Sequence, residues 1–498
     1  MNIGIIGTGY VGLSTGTCLA YLGHRVRGFD VDQERIDSLR KGILPIYEPG
    51  LEDLFSLSRK NLTFGSDPAS VIGDADVIFI TVGTPSLPDG SADLRYIDSA
   101  AETIGRHLGE RPAVIVIKST IPIGTNQRVK EIVRGTYRGS HPGVVPGFMI
   151  AYNPEFLRQG SALHDSLYPD RIVIGSDSAE ALEKLKALYR PVIDQTFEPP
   201  PFIPRSVGLH AVPVVTTDVA SAEIIKYAAN AFLALKISFA NELAQLAERV
   251  NADISQVVHG MGTDRRIGHE FLQAGLGWGG SCFGKDTAAL ITVGERHGVD
   301  MRIVRAAREV NYAQRERVVA KLISELGTLE GKVIGLLGLA FKPHTDDLRD
   351  APALDIAREL VARGARVRAH DEAALQRALV QCEGIGIEFC QTVNTLADGA
   401  DALVLVTEWP QYQHLDWKSL ALEMHDPLML DGRNALSREK LEWAGFQYIG
   451  LGLPDRPSRW PSSSRLHASN RALSAKRVGG NLTRSFEPLV TQPTVGSP

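Results

Sequence analysis

The feature that most narrows what this chain can fold into is a glycine turn placed between a strand pattern and a helix pattern. Residues 2–6 read as a short buried strand, 7–12 as the turn Gly7-Thr8-Gly9-Tyr10-Val11-Gly12, 13–22 as a helix and 26–30 as a second strand. That succession is a βαβ unit. In G-x-G-x-x-G the first glycine permits the tight turn and the second lets the backbone approach a pyrophosphate. The third lets the helix pack closely, and its N-terminus offers unpaired amides and a positive dipole end. Asp30 ends the second strand, where a carboxylate accepts hydrogen bonds from the adenine ribose and repels a 2′-phosphate. The pattern predicts an NAD site in preference to NADP, with Arg35 the one neighbour that softens the exclusion. The competing reading is a turn that only packs helix on sheet.

Further strand patterns at 77–82, 114–118 and 171–175, with a helical pattern at 93–108, predict a parallel sheet covered on both faces. The prolines around Glu198-Pro199-Pro200-Pro201 and the stretch that follows to Thr217 read as a loop. From Asp218, a plausible N-cap, to Val250 the apolar periodicity is helical and suits an interdomain spine. A second βαβ unit follows, with a strand at 333–337, a helix at 353–363, a strand at 366–369 and a further strand at 402–407. The predicted fold is α/β: two Rossmann-like, doubly wound parallel-sheet domains joined by a long central helix and a helical dimerisation region. The domains fall at 1–205, 206–325, 326–455 and a tail at 456–498. In that tail seven Lys/Arg face one Glu among Ser, Pro and Gly, a composition that predicts disorder.

The 498 residues suit two to four domains, and 44% hydrophobic with 22% charged residues allows sizeable cores. A net charge of -5 gives no whole-surface attraction to nucleic acid or anionic membrane. Four irregularly spaced cysteines predict neither a disulfide framework nor zinc, and a cytoplasmic location fits a chain without a signal-like start or a membrane-length apolar run.

Two clusters suggest chemistry. Residues 275–286 read Gly-Leu-Gly-Trp-Gly-Gly-Ser-Cys-Phe-Gly-Lys-Asp, with five glycines in ten positions before a helical run. Cys282 at a helix start is predicted to have a lowered pKa and to serve as a nucleophile; the alternative is a small buried hydrophobe. Lys226 and Asn230 lie four apart on one helix face. Lys226 suits an oxyanion stabiliser or a side chain whose stem carries its charge to water.

Taken together, several motifs resemble the UDP-glucose/GDP-mannose dehydrogenase family from residue 1 to about 453. They are the 7–12 turn, Lys118-Ser119-Thr120, Asn153-Pro154-Glu155-Phe156-Leu157, Glu223-x-x-Lys226-x-x-x-Asn230, Gly279-Gly280-Ser281-Cys282-Phe283 with Lys285-Asp286, and Gly338-Leu339-Ala340-Phe341-Lys342-Pro343-x-Thr345-Asp346-Asp347-x-Arg349. The resemblance leans to the UDP-glucose branch through Ala340-Phe341-Lys342-Pro343 and Thr407-Glu408-Trp409. It implies a four-electron, NAD-dependent oxidation of a nucleotide sugar, UDP-glucose or a related one, in a homodimer or larger assembly. Cys282 would attack the aldehyde, Lys226 and Asn230 would steady the oxyanion, and Asp286 would assist proton transfer. Glu155 would activate water and Thr120 would order it.

The resemblance further implies cofactor contacts from Gly7, Gly9, Tyr10, Val11, Gly12, Asp30, Arg35, Thr84, Thr120, Lys285 and Arg349. Sugar-nucleotide contacts would come from Glu155, Phe156, Leu157, Lys226, Asn230, Phe271, Gly279, Phe341, Lys342 and Arg433, with Arg266 reaching a neighbouring subunit's sugar. Phe156 and Leu157 also suit ordinary core, and Arg349 a simple pair with Asp346 or Asp347. Gly284, Gln159 and the Pro-rich stretch depart from the family pattern, and Gly284 predicts a looser cysteine loop. A one-step alcohol dehydrogenase leaves Cys282 and Glu155 without a role, and a non-catalytic sugar sensor would have no need of Cys282, Lys226 and Asp286.

Overall fold

The computed structural model describes residues 1–141 and 147–454; the tail read as disordered lies outside the described residues. Eight strands form the first sheet: β1 (Asn2–Ile6), β2 (Arg25–Phe29), β3 (Leu62–Gly65), β4 (Val77–Ile80), β5 (Ala113–Ile117), β6 (Phe148–Tyr152), β7 (Ile172–Gly175) and β8 (Val214–Thr217). Their order is β3-β2-β1-β4-β5-β6-β7-β8. β4 and β5 are apolar and buried at every position because helices cover both faces. The helix Tyr10–Tyr21 packs into the core on one face, and Arg95–His107 with Thr125–Ser140 into the core on the other.

Two sequence expectations change here. The sheet is parallel from β3 through β6, but β6 and β7 meet antiparallel at Tyr152 and Gly175. The segment after β6 stays at the C-terminal edge of the sheet, so β7 enters from that edge and runs back without a crossover. The stretch read as loop to Thr217 ends in β8, a half-exposed edge strand paired parallel with β7. The first sheet therefore extends past residue 205.

The helix Val219–Val250 runs 32 residues, and Asp218 caps it by accepting from the Ser221 amide at 2.8 Å. Near its start Ala222 sits in the first domain's core, and farther along Gly452, beyond the last strand, lies against Ala244. The helix thus spans both halves. The second sheet is parallel throughout: β9 (Val333–Leu337), β10 (Arg366–His370), β11 (Ile387–Phe389), β12 (Ala402–Leu405), β13 (Leu428–Asp431) and β14 (Gln447–Gly450), in the order β11-β10-β9-β12-β13-β14. In both sheets the strand order reverses at the first strand, which opens a crevice at the C-terminal ends of the strands.

Candidate active site

The glycine turn has the geometry a dinucleotide needs. Gly7 sits at φ +96°, and a Cβ on Gly12 would lie 2.0 Å from the Gly7 carbonyl oxygen. A Cβ on Gly9 would meet nothing within 4 Å, so this is the position a pyrophosphate can approach, just before the helix whose first residues are Tyr10 and Val11. Asp30 is buried beside it. Its Oδ2 accepts from the Thr8 amide at 2.7 Å, the Thr8 hydroxyl at 3.0 Å and Arg35 at 3.0 Å, and its Oδ1 from the Asp32 amide at 3.1 Å. Burial pushes this carboxyl up, but the two amides and Arg35 outweigh it and hold the group below the usual carboxylate range. Arg35 is itself engaged by Asp30. Thr84 donates to the Thr120 carbonyl at 2.8 Å, which joins the loops after β4 and β5. These residues fit NAD.

A cavity of about 780 Å³ lies between this edge and the second domain. Its walls include Glu155, Phe156 and Leu157 from the segment after β6, Lys226 and Asn230 from the long helix, Phe271, Gly279 and Cys282 from the glycine-rich loop and the residues just before it, and Phe341 with Lys342 from the loop after β9. Lys226 is 2% exposed and donates to the Glu155 carbonyl at 2.6 Å and to Glu155 Oε1 at 3.1 Å. It does not reach water along its stem. Burial pushes its ammonium down, yet Glu155, Asp286 and Cys282 raise it above its ordinary value, so it stays charged. Burial pushes Glu155 up, while Lys226, the Leu157 amide and Lys118 bring it below the usual range.

Cys282 immediately precedes the helix Phe283–Arg296 and faces the same cavity. The expected lowering of its pKa is not found. Burial raises the thiol, the Glu155 and Asp286 carboxylates raise it further, and Lys226 and Lys285 only partly oppose them. Asp286 does not line the cavity: one oxygen accepts from Asn230 at 2.6 Å and the other from Lys285 at 2.5 Å. It fixes Asn230 and leaves that amide's second hydrogen for the site. The glycines of the loop allow contact with the second domain, since a Cβ on Gly280 would sit 2.7 Å from the Phe341 ring. The Gly280 amide donates to the Arg349 carbonyl at 2.9 Å. Gly284 does not loosen the loop; it lies in the helix, where a Cβ would come within 2.8 Å of Asp350.

Three models of one family match in order: its NAD binding domain over residues 1–193, its central domain over 220–313 and its UDP binding domain over 335–438. A UDP-glucose 6-dehydrogenase of Bacillus subtilis is 43% identical over 91% of this chain and 93% of its own. The chain belongs to the UDP-glucose/GDP-mannose dehydrogenase family. Among solved structures, a UDP-glucose dehydrogenase from Pyrobaculum islandicum superposes with TM-score 0.81 at 39% identity, covering 91% of this chain and 97% of that one. A UDP-D-ManNAc dehydrogenase from Pyrococcus horikoshii gives 0.76 at 26% identity, covering 91% and 99%. The NAD site of the first domain is thereby the family's.

Some of the residues that the family resemblance marks lie outside the cavity wall. Arg266 is largely exposed and pairs with Asp264 at 2.6 Å. Arg349 pairs with Asp347, donating to Oδ1 at 2.9 Å, as one of its two readings anticipates. Arg433 donates to the Val406 carbonyl at 2.7 Å, the Gly277 carbonyl at 3.2 Å and the Phe341 carbonyl at 3.4 Å, which ties the cysteine loop to the second sheet. Phe156 lies on the cavity wall and packs on the first domain's core, with Arg171 stacked over its ring at 3.6 Å. In the second domain Asp371 occupies the place after β10 that Asp30 holds after β2. Its Oδ2 accepts from the Leu339 and Ala340 amides at 2.7 and 2.9 Å and from Trp409 at 3.3 Å. That carboxylate is committed to its own turn, in keeping with the incomplete glycine fingerprint there.

Lys118 has no assigned role in the sequence reading, yet it is buried on the cavity wall and donates to Asn153 at 3.1 Å. Burial brings its ammonium down to about 8. The signal was a charge placed directly after the apolar β5. Arg158 and Gln159 line the cavity as well.

Proposed function

We propose that this chain oxidises UDP-glucose to UDP-glucuronate with two NAD, through a covalent intermediate on Cys282. The observation that carries this reading is the convergence at one cavity of Cys282, the Lys226–Glu155 pair and Asn230, itself held by Asp286, on a wall that the helix after the glycine turn joins through Thr15, Cys18 and Leu19. NAD supplies the hydride acceptor for both oxidations. The first hydride leaves C6 of the sugar as its hydroxyl proton departs, which gives an aldehyde. An aldehyde has no second hydride to give until a nucleophile adds, and Cys282 forms that C–S bond, giving a thiohemiacetal. Lys226 has one hydrogen, and Asn230 one, beyond those they give to Glu155 and Asp286; these meet the developing oxyanion. Loss of the second hydride and the hydroxyl proton leaves a thioester. Glu155, kept ionised, takes the proton of the water that cleaves it and returns the thiol, with Thr120 ordering that water.

UDP-glucose is favoured over a UDP-N-acetylhexosamine because the relatives bearing its name stand at 43% and 39% identity, against 26% for the UDP-D-ManNAc dehydrogenase. Lys342, Phe341 and Arg433 would hold the uridine diphosphate, and Lys285 and Arg349 the cofactor's phosphates. We further propose a homodimer built on the long helix, where Phe239, Leu246 and Val250 expose 45%, 55% and 61% of their surface, with Arg266 of the partner subunit reaching the sugar. A cytoplasmic location suits four free cysteines; among the described residues no helix is long and apolar enough to cross a membrane. The test is a panel of UDP- and GDP-sugars with NAD. UDP-glucose should yield two NADH per sugar, and a clean ratio of one would refute the two-step reading.

A further inference from the structure

Glu48 is a buried carboxylate that the chemistry above does not use. It sits between the helices Gln33–Lys41 and Leu51–Ser58 with 6% of its surface exposed. Its Oε2 accepts from the Tyr10 hydroxyl and from the Gly160 amide at 2.7 Å, and its Oε1 from the Ala162 amide at 2.7 Å. Tyr10 opens the helix after the glycine turn, while Gly160 lies in the strap of residues 153–161 that carries Glu155, Phe156 and Leu157, and Ala162 opens the helix Ala162–Leu167 into which that strap runs. One carboxylate therefore grips the cofactor turn and the wall of the sugar cavity together.

The strap is fastened at its other side to the second domain. Gln159 donates to Asp347 at 2.9 Å and accepts from the Thr345 hydroxyl at 3.2 Å. Asp347 in turn holds Arg349. Gly160, at φ +83°, lets the strap press on the loop after β9, where a Cβ would come within 2.7 Å of the His344 carbonyl oxygen. A buried carboxylate is tolerated only while its donors are in place. Moving the strap away leaves Glu48 the Tyr10 hydroxyl as its one hydrogen-bond donor of the three, and moving Tyr10 leaves it the Gly160 and Ala162 amides, with the Lys342 charge nearby in either case.

We propose that Glu48 is a positioning residue that couples the seating of the dinucleotide to the seating of the nucleotide sugar. The proposal rests on the reading of the glycine turn and the cavity given above. By linkage, each ligand then tightens the other by the same factor, typically fivefold or more. The test measures NADH binding with and without saturating UDP-glucose, a combination that cannot turn over. The unmodified enzyme should bind NADH at least about fivefold more tightly when the sugar is present. In Tyr10→Phe, which removes one hydroxyl and leaves Glu48 the Gly160 and Ala162 amides, that factor should fall towards one while the affinity for UDP-glucose alone is kept. Glu48→Gln should do the same, and if it fails to fold the phenylalanine variant decides. An undiminished factor in Tyr10→Phe, or independent binding in the unmodified enzyme, overturns the proposal. Failure of the unmodified enzyme to bind UDP-glucose at all overturns the functional reading with it.

Discussion

Asp30 and Glu155 are both buried carboxylates below their ordinary pKa, and their partners give them different work. Asp30 shapes the glycine turn through Thr8 and restrains Arg35, so Asp30→Ala removes the repulsion against a 2′-phosphate and frees a cation to meet it. We expect NAD to be strongly preferred by the unmodified enzyme. The variant should lose roughly tenfold in kcat/KM with NAD, about 1.4 kcal/mol, and narrow the gap to NADP; equal use of both cofactors before mutation would contradict the assignment. Glu155 has its folded pKa depressed, so its charge and the stability it contributes are present above the unfolded value of about 4.3 and are lost as pH falls through the lower folded value. Lys226→Met leaves burial opposed only by the Leu157 amide and Lys118. The acid limb of thioester hydrolysis should then move up by about one unit or more, and stability should fall by about 3–5 kcal/mol. An unmoved acid limb in single-turnover pH profiles would show that Lys226 does not hold this carboxylate. The motifs around Cys282 and Lys226 are plain in the sequence, but the raised thiol was not. Its causes are burial in the folded cavity and then Glu155 and Asp286, which come from a distant segment and from the next helical turn.

Elements that are buried on both faces, such as β1, β4, β5 and β9, are legible because short unbroken apolar runs have few other solutions, and a glycine directly after β1 and β9 marks their ends. β8 was hidden by the prolines before Val214, and the antiparallel meeting of β6 and β7 by the absence of any local mark for strand direction. Burial resolves what spacing left open for Lys226, since an ammonium 2% exposed cannot be solvated at the surface. The glycine turn gives a paired test. Gly9→Ala adds a methyl in open space, so melting should be unchanged while NAD affinity falls at least about tenfold by obstruction of the pyrophosphate. Gly12→Ala drives its methyl into the Gly7 carbonyl and should lower both. Equal melting losses in the two variants, read by calorimetry, would argue against Gly9 as the point of approach. On the long helix, Phe239→Asp with Leu246→Asp should convert the proposed dimer to monomer in sedimentation, because both side chains are exposed in the single chain. A dimer that persists would place the interface elsewhere.

At the scale of the whole molecule, two doubly wound domains present the C-terminal ends of their strands to one cavity, and the long helix between them contributes Lys226 and Asn230. That arrangement explains why neither domain alone contains the site, and why residues so far apart in sequence as Glu155, Cys282 and Lys342 wall one space. The central claim of the proposed mechanism is that oxidation proceeds past the aldehyde to the acid because the sugar becomes bonded to Cys282 on the way. It is tested most directly by mixing Glu155→Gln with UDP-glucose and NAD, quenching with acid, and weighing the protein and its Cys282 peptide by mass spectrometry. Lys226 keeps its bond to the residue 155 carbonyl in that variant, so the fold should survive, which ligand binding can verify. The account predicts two NADH released in a single burst and a nucleotide-sugar acyl adduct on Cys282 that is absent when Cys282→Ser is added. Unmodified Cys282 after a two-NADH burst would contradict it.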